Sequence, residues 1–356
     1  MQAGNSSRHR FQGDIHRLRG IAILLIVATH CVTFFSWGGH ETAFELAHDL
    51  FDNSTLIFMF ISGYLFHHTS ADFQYTRYLK VKARNVVAPY LIAALPGILY
   101  VLLFDAAKLH ALGLDGYPSA EKAGYLLVYG GAQLNYALWF IPVICLYYLV
   151  SPVLLRVFER PNGYALLLLL IPLSVLMHRP TYSHGHNVAL ALYFLSAYAI
   201  GMLCSKYHDK VVAVLDRHVA LLSAASVLAI AAHLFMATHH GNYTVASIGA
   251  FDHSDGWIDW MFIQKILLTF TLWALTRRSL SLRLPVLDAL ASASFTVYFL
   301  HLYVLYVVAG LAHSAGFEIG VVSFCGMLVV AVALPVAVAA VVRKIAPRWS
   351  RSLIGS

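Results

Sequence analysis

Charge is scarce in this sequence. Only 12% of the 356 residues are Asp, Glu, Lys or Arg, about half of the ~25% found in an ordinary soluble domain. Too few charged side chains remain to cover a water-facing surface, so a soluble globular fold is excluded. Hydrophobic residues make up 60% and gather in long blocks, which read as membrane spans. Cysteine is scarce as well. Cys31, Cys145, Cys204 and Cys325 each sit inside an apolar block with no pairing by spacing. A disulfide framework or thiolate metal site is not expected, and the four read as small apolar filler. The first apolar run follows a polar, basic stretch of about 19 residues and has no small-residue cleavage signature after it. It therefore reads as a retained span and not as a signal peptide. No internal repeat, low-complexity tract or soluble domain stands out.

What is present is a series of ten apolar blocks, near residues 20–36, 52–68, 86–104, 136–155, 163–178, 189–205, 218–237, 258–276, 293–311 and 321–342. Each is long enough, the shorter ones narrowly, to cross a hydrocarbon core of about 30 Å as a helix rising about 1.5 Å per residue. Helix is the expected state because unpaired backbone in lipid costs several kcal/mol per group. The fold class is therefore all-α, a polytopic integral membrane bundle of about ten transmembrane helices.

The basic residues test the orientation. With the N-terminus in the cytoplasm, twenty of the 24 Lys and Arg residues fall in the inner segments, around 8–19, 77–84, 156–160, 206–217, 277–283 and 343–351. Only Lys108, Lys122 and Arg179 fall outside, and Lys265 lies within a span. This positive-inside pattern supports ten spans with both termini cytoplasmic. The chain then divides into a cytoplasmic segment 1–19, a membrane unit 20–342 and a cytoplasmic tail 343–356. The net charge of +7 is explained by topology and does not point to nucleic acid. The outer loops are acidic and histidine-rich. His184 and His186 are two apart and His239 and His240 are adjacent; neither is a helical i, i+4 pair, and no cysteine accompanies them, so no metal is expected.

Ionisable groups inside spans are costly and tend to mark function. His30 lies ten residues into the first span, about 15 Å from its inner edge, with Arg19 at that edge. The eleven residues between them turn through roughly 1100°, about 20° past three full turns, so both project from one face. Alone, Arg19 reads as a positive-inside anchor and His30 as a satisfied buried histidine; aligned, they point to function. Ser294, Tyr298 and His301 share a face of the ninth span at i, i+4, i+7 spacing, a pattern that also suits interhelical hydrogen bonding. Ser62 and Gly63 in the second span permit close helix approach. Asn135 and Trp139 stand one helical turn apart at the outer end of the fourth span, where Trp is normally a belt residue. Lys265, seven residues into the eighth span, is expected to snorkel outward. The basic loop 77–84, with Arg77, Lys80, Lys82 and Arg84, reads as topology, as attraction to anionic lipid, or as a pocket for a phosphorylated cytosolic ligand.

Taken in order, these residues resemble the acyltransferase family 3 membrane enzymes, which O-acylate cell-surface glycans. Arg19-Gly20-Ile21-Ala22 followed by His30 resembles the family's first-span Arg and His. Phe60-Ile61-Ser62-Gly63-Tyr64-Leu65-Phe66 looks like its second-span segment, and Leu138-Trp139-Phe140-Ile141 resembles its Trp-Phe motif. Tyr193-Phe194-Leu195 through Gly201 looks like its sixth span. Ser294-Phe295-Thr296-Val297-Tyr298-Phe299-Leu300-His301 is similar to its late segment. The resemblance runs from residue 14 to about 355. In two places the sequence departs. His16 stands where the family often has an acidic residue, with Asp14 two positions earlier. Lys82 and Asn85, with Arg84 beside them, stand where it tends to place two arginines ahead of the proline that opens the third span.

The resemblance implies transfer of an acyl group, acetyl by default, from cytosolic acyl-CoA to a hydroxyl of a cell-surface or lipid-linked glycan, by a multi-pass protein of the bacterial inner membrane. It implies catalytic roles for His30 and Arg19. Arg19, Lys80, Lys82 and Arg84 would bind the donor's phosphates, and Ser62, Asn135, Trp139, Tyr298 and His301 would line the substrate pocket. An imidazole with an unperturbed pKa of about 6.5 suits a general base at neutral pH; an acyl-imidazole at His30 is a second route. Ten spans with buried histidines also fit a proton-coupled transporter or flippase, though no inverted repeat is visible. A receptor or scaffold would leave the alignment of Arg19 with His30 unexplained.

Overall fold

The computed structural model describes residues 13–34, 37–128, 133–180, 187–236, 256–317, 320 and 323–355, with backbone alone for 133–135. Sixteen α-helices follow one another among these residues. The first four are α1 (Gly13–Val32), α2 (Glu41–Phe51), α3 (Thr55–His68) and α4 (Tyr75–Lys82). Next come α5 (Ala88–Phe104), α6 (Ala106–Ala111), α7 (Ser119–Val128), α8 (Phe140–Phe158), α9 (Leu167–Met177) and α10 (Asn187–Lys206). The series ends with α11 (His208–Met236), α12 (Trp260–Arg278), α13 (Pro285–Ser292), α14 (Ser294–Ser314), α15 (Phe324–Ile345) and α16 (Ser350–Ile354).

The protein is an all-α polytopic membrane bundle. Seven helices among the described residues are long and apolar enough to cross a bilayer: Gly13–Val32, Tyr75–Phe104, Tyr136–Phe158, Asn187–Lys206, His208–Met236, Ser294–Ser314 and Phe324–Ile345. The other three expected spans differ for visible reasons. α3 has 14 residues, about 21 Å of helix, and Gly163–Met177 is also short. α12 has 19 residues but carries Lys265, Arg277 and Arg278.

The basic stretch expected as a loop is helical. α4 and α5 are joined by a π-helical turn, Ala83–Val87. Pro89 has no N–H to give to the carbonyl four residues back. The chain passes this point with the wider turn, in which the Ala88 N–H reaches the Ala83 carbonyl five residues back. Arg77, Lys80 and Lys82 thus stand on a continuous 30-residue helix, Tyr75–Phe104.

α1 is central and packs against α2, α3, α12, α13, α14 and α15. Its first turns are pinned by charge. Arg17 donates from Nε to Asp288 at 3.2 Å and from Nη2 to the Leu282 carbonyl at 2.8 Å, and it also reaches the Ser279 carbonyl. Asp14 accepts from Trp273 Nε1 at 2.8 Å and from Arg277 at 3.2 Å. Arg277 in turn bridges to Asp216 at 2.9 Å.

α3 and α10 make the most extensive helix pair, and two glycines permit it. A Cβ on Gly63 would stand 1.9 Å from the Tyr198 carbonyl oxygen, and one on Gly201 would stand 2.1 Å from that of Phe60. Close backbone approach replaces the hydrophobic effect as the source of helix association in lipid. Gly63→Ala should force the pair apart, costing about 1–3 kcal/mol as overpacking does. Thermal unfolding of the purified protein should show this as a fall of several degrees in Tm; a Tm equal to wild type would contradict the packing described.

Candidate active site

α1 is unbroken from Gly13 to Val32, so Arg19 and His30 keep the single face expected of them, about 16 Å apart along the helix. Across the bundle His30 meets two partners. Its Nδ1 lies 3.2 Å from the Tyr136 hydroxyl, and its ring stands 5.1 Å from the ring of His301, centroid to centroid, at a tilt of 34°. These three residues come from α1, from the segment before α8, and from α14.

His301 is fully buried. Its Nδ1 lies 3.0 Å from the Val297 carbonyl and 2.9 Å from that of Tyr298. A carbonyl only accepts, so Nδ1 carries the hydrogen and Nε2 presents a lone pair. That Nε2 is buried with no hydrogen-bond partner among the described residues. Tyr298, one turn earlier, donates its hydroxyl to the Ala137 carbonyl at 2.5 Å. α14 therefore fixes the very segment that places Tyr136 beside His30.

That segment, Gln133–Trp139, is a 3-10 helix. With three residues per turn, Tyr136 and Trp139 share a face. The four-residue spacing of Asn135 and Trp139 no longer makes one turn, and the Asn135 side chain lies outside the described residues. Trp139 is buried and stacks on Phe194 at 5.9 Å. Ser62 is half-buried on α3, one turn beyond Phe58, whose ring packs against Phe140. Phe140 also packs against Tyr298, so Ser62 stands on the flank of this group.

The basic residues near the start of α1 have separate partners. Arg19 is largely enclosed. Its Nη2 lies 3.4 Å from His16 Nδ1, while His16 Nε2 lies 3.3 Å from the Asp288 carbonyl. Nε2 must donate there, which leaves Nδ1 as the acceptor for Arg19. His16 orients Arg19 without cancelling its charge. The Arg19 Nε is buried with no hydrogen-bond partner among the described residues. Lys82 Nζ sits over the rings of Tyr78 and Tyr148, 5.2 and 4.8 Å from their centroids. Lys80 is exposed. Arg84 is committed to the C-terminal segment, with Nε 3.1 Å from Ser352 Oγ and Nη2 3.1 Å from the Arg348 carbonyl.

Lys265 does not snorkel. It is fully buried, and Nζ donates to the carbonyls of Asp49 at 3.0 Å and Leu50 at 2.7 Å. Gln264 donates to the same Asp49 carbonyl at 2.6 Å, and the Asp49 carboxylate lies 3.6 Å from His233 Nδ1. The end of α2 supplies carbonyls that the membrane cannot hydrate, and this satisfies the ammonium within the protein. Among the described residues no group of three His, Cys, Asp or Glu is placed to hold a metal ion; His184, His186, His239 and His240 lie outside them.

Residues 13–340 match a family model described as an acyltransferase domain. The chain belongs to acyltransferase family 3. No curated protein and no solved structure matches it significantly. Membership makes the protein a membrane acyltransferase of a family whose donor is acyl-CoA. In an enzyme of acyltransferase family 3, a paired set of imidazoles enclosed by the bundle offers proton transfer and nucleophilic chemistry, and an enclosed guanidinium offers anion binding. Sequence reasoning missed Tyr136, and it missed the C-terminal segment that engages Arg84. Neither carries a local signal of its partner.

Lys265→Met should take the Lys265 donor from the Leu50 carbonyl, leave the Asp49 carbonyl with Gln264 alone, and leave the Asp49 region without its cation. A loss of about 3–5 kcal/mol is expected, as for breaking a buried charged contact. Thermal unfolding in detergent and hydrogen exchange at the end of α2 would measure it; unchanged protection there would contradict the assignment.

Proposed function

We propose that this acyltransferase moves an acyl group, acetyl by preference, from cytosolic acyl-CoA to a hydroxyl of a cell-surface or lipid-linked glycan in the bacterial inner membrane. The observation that carries this reading is the enclosed group formed by His30, Tyr136 and His301, aligned on α1 with the enclosed guanidinium of Arg19.

The layout suits a donor and an acceptor that meet from opposite sides. Acyl-CoA is polyanionic and soluble. Arg19 and Lys82 stand at the end of the bundle where α1 begins, and they would take the donor's phosphates, Arg19 by its fork and Lys82 as a point charge. Lys80, exposed on the same helix, would add long-range attraction. The acyl end would rise along α1 to His30. There His30 takes the proton of the acceptor hydroxyl as general base while the hydroxyl oxygen attacks the thioester carbon. The same proton then returns to the departing thiolate. Tyr136 orients His30, and Tyr298 holds the Tyr136 segment through Ala137. Trp139 and Ser62 border the space for the acceptor.

His30→Ala should leave the protein folded in membranes and remove the general base, lowering transfer by about 10²–10⁴-fold. Mass spectrometry of surface glycan from a deletion strain carrying this variant should show the O-acetyl group missing. A normal level of acetylation would refute the role. Arg19→Glu should raise the acyl-CoA concentration needed for half-maximal rate by about tenfold to a hundredfold, the worth of one charge-assisted hydrogen bond. Donor titration with radiolabelled acetyl-CoA in membrane vesicles would read this directly, and an unchanged donor requirement would remove Arg19 from the phosphate site.

A further inference from the structure

The segment after α9 contains a residue that topology alone does not explain. α9 ends at Met177, and His178 adopts φ 53 and ψ 163. A non-glycine residue in that region is disfavoured and persists where its surroundings over-determine it, often at functional sites. His178 is 3% exposed, so the strained turn is packed into the bundle. Its consequence is the placement of Arg179. The Arg179 guanidinium carbon stands 4.9 Å from the centroid of the Trp139 ring, and the side chain is half-buried. Trp139 shares the face of its 3-10 helix with Tyr136, one turn away, and the Tyr136 hydroxyl contacts His30. Arg179, Trp139, Tyr136 and His30 therefore follow one another along one wall.

We infer that Arg179 is a further catalytic residue, whose guanidinium faces the thioester carbonyl and holds the negative charge that develops on its oxygen. The inference rests on the acyl-transfer reading above. The acceptor oxygen forms a bond to the carbonyl carbon, and its proton passes to His30. The carbonyl π pair moves onto the carbonyl oxygen, where Arg179 stabilises it. The pair then returns, the carbon–sulfur bond breaks, and the thiolate takes the proton from His30. A preorganised cation in a water-poor site acts strongly on such charge, and its stacking on Trp139 fixes it before the reaction begins.

The test uses the full chain in proteoliposomes made from the host's membrane lipids, so that the native acceptor is present, with radiolabelled acetyl-CoA as donor. Diluting the vesicles with synthetic phospholipid varies the acceptor's surface concentration. Arg179→Gln is expected to lower kcat by about 10²–10³-fold, with the half-saturating levels of donor and acceptor within about twofold of wild type. Arg179→Lys, which keeps the charge but not the planar fork, should fall between the two; it decides the matter if the Gln variant does not assemble. A Gln or Lys variant with wild-type kcat overturns the inference. So does a loss that lies wholly in the acceptor or donor half-saturation, which would make Arg179 an anchor. Wild-type protein that transfers no label from acetyl-CoA overturns the underlying reading instead, and the two failures are told apart by that control.

Discussion

A polar side chain inside a bilayer has no water to turn to, and this constraint organises the protein. Among the described residues many buried polar groups are satisfied by backbone carbonyls. His301 uses those of Val297 and Tyr298, Tyr298 that of Ala137, Lys265 those of Asp49 and Leu50, and Arg17 those of Ser279 and Leu282. A carbonyl belongs to a helix or turn that cannot move independently. Each such bond therefore fixes a side chain to an element, whereas a pair of side chains could rearrange together. Leaving a buried donor or acceptor unmade costs about 1–3 kcal/mol. Among the described residues several buried side-chain atoms, such as Tyr78 Oη and Tyr198 Oη, lack a hydrogen-bond partner, and Arg19 Nε on α1 and His301 Nε2 on α14 are two of them. An anion at Arg19 and a hydroxyl at His301 would relieve the cost at these two atoms.

The departure at His16 gains meaning from the same constraint. An acidic residue at that position would pair with Arg19 and neutralise it. His16, held through Nε2 by the Asp288 carbonyl, presents a neutral acceptor instead. Arg19 is oriented but keeps its full charge, which favours a polyanion over a neutral ligand. Asp14, the nearby acid, is turned the other way, toward Trp273 and Arg277. Its charge serves the packing of α1 against α12 and does not compete at the site.

How much of this was legible depends on whether the information is local. The alignment of Arg19 with His30 follows from helix periodicity, and the unbroken α1 preserves it. The face shared by Tyr298 and His301 was legible for the same reason. Which faces meet was not: His30 and His301 are 271 residues apart, and no sequence spacing encodes their approach. Lys265 was misread because snorkelling is the usual escape for a lone lysine, while its true partners are carbonyls at the end of α2, which any residue type could supply. The basic stretch before Pro89 read as a loop because its charges fall between two apolar blocks; it is helical, and the π turn carries the helix past the proline. The turn before α8 read as α-helical, and its 3-10 winding exchanged Asn135 for Tyr136 as the residue in register with Trp139.

The two imidazoles are not equivalent, and the difference bears on how they divide the work. His301 has its hydrogen fixed on Nδ1 by two carbonyls, and no local rearrangement can transfer it to Nε2. His30 faces a hydroxyl, which can donate or accept. When the Tyr136 hydroxyl donates, His30 Nδ1 holds a lone pair and Nε2 the hydrogen; when the hydroxyl accepts, these roles reverse. A group that must take a proton in one step and return it in the next benefits from a partner that tolerates both states. His301 instead offers a constant surface, with its lone pair held on Nε2 by the two carbonyls that engage Nδ1. The proposed base is thus the imidazole with a reversible neighbour, and the fixed one stands beside it as a constant acceptor.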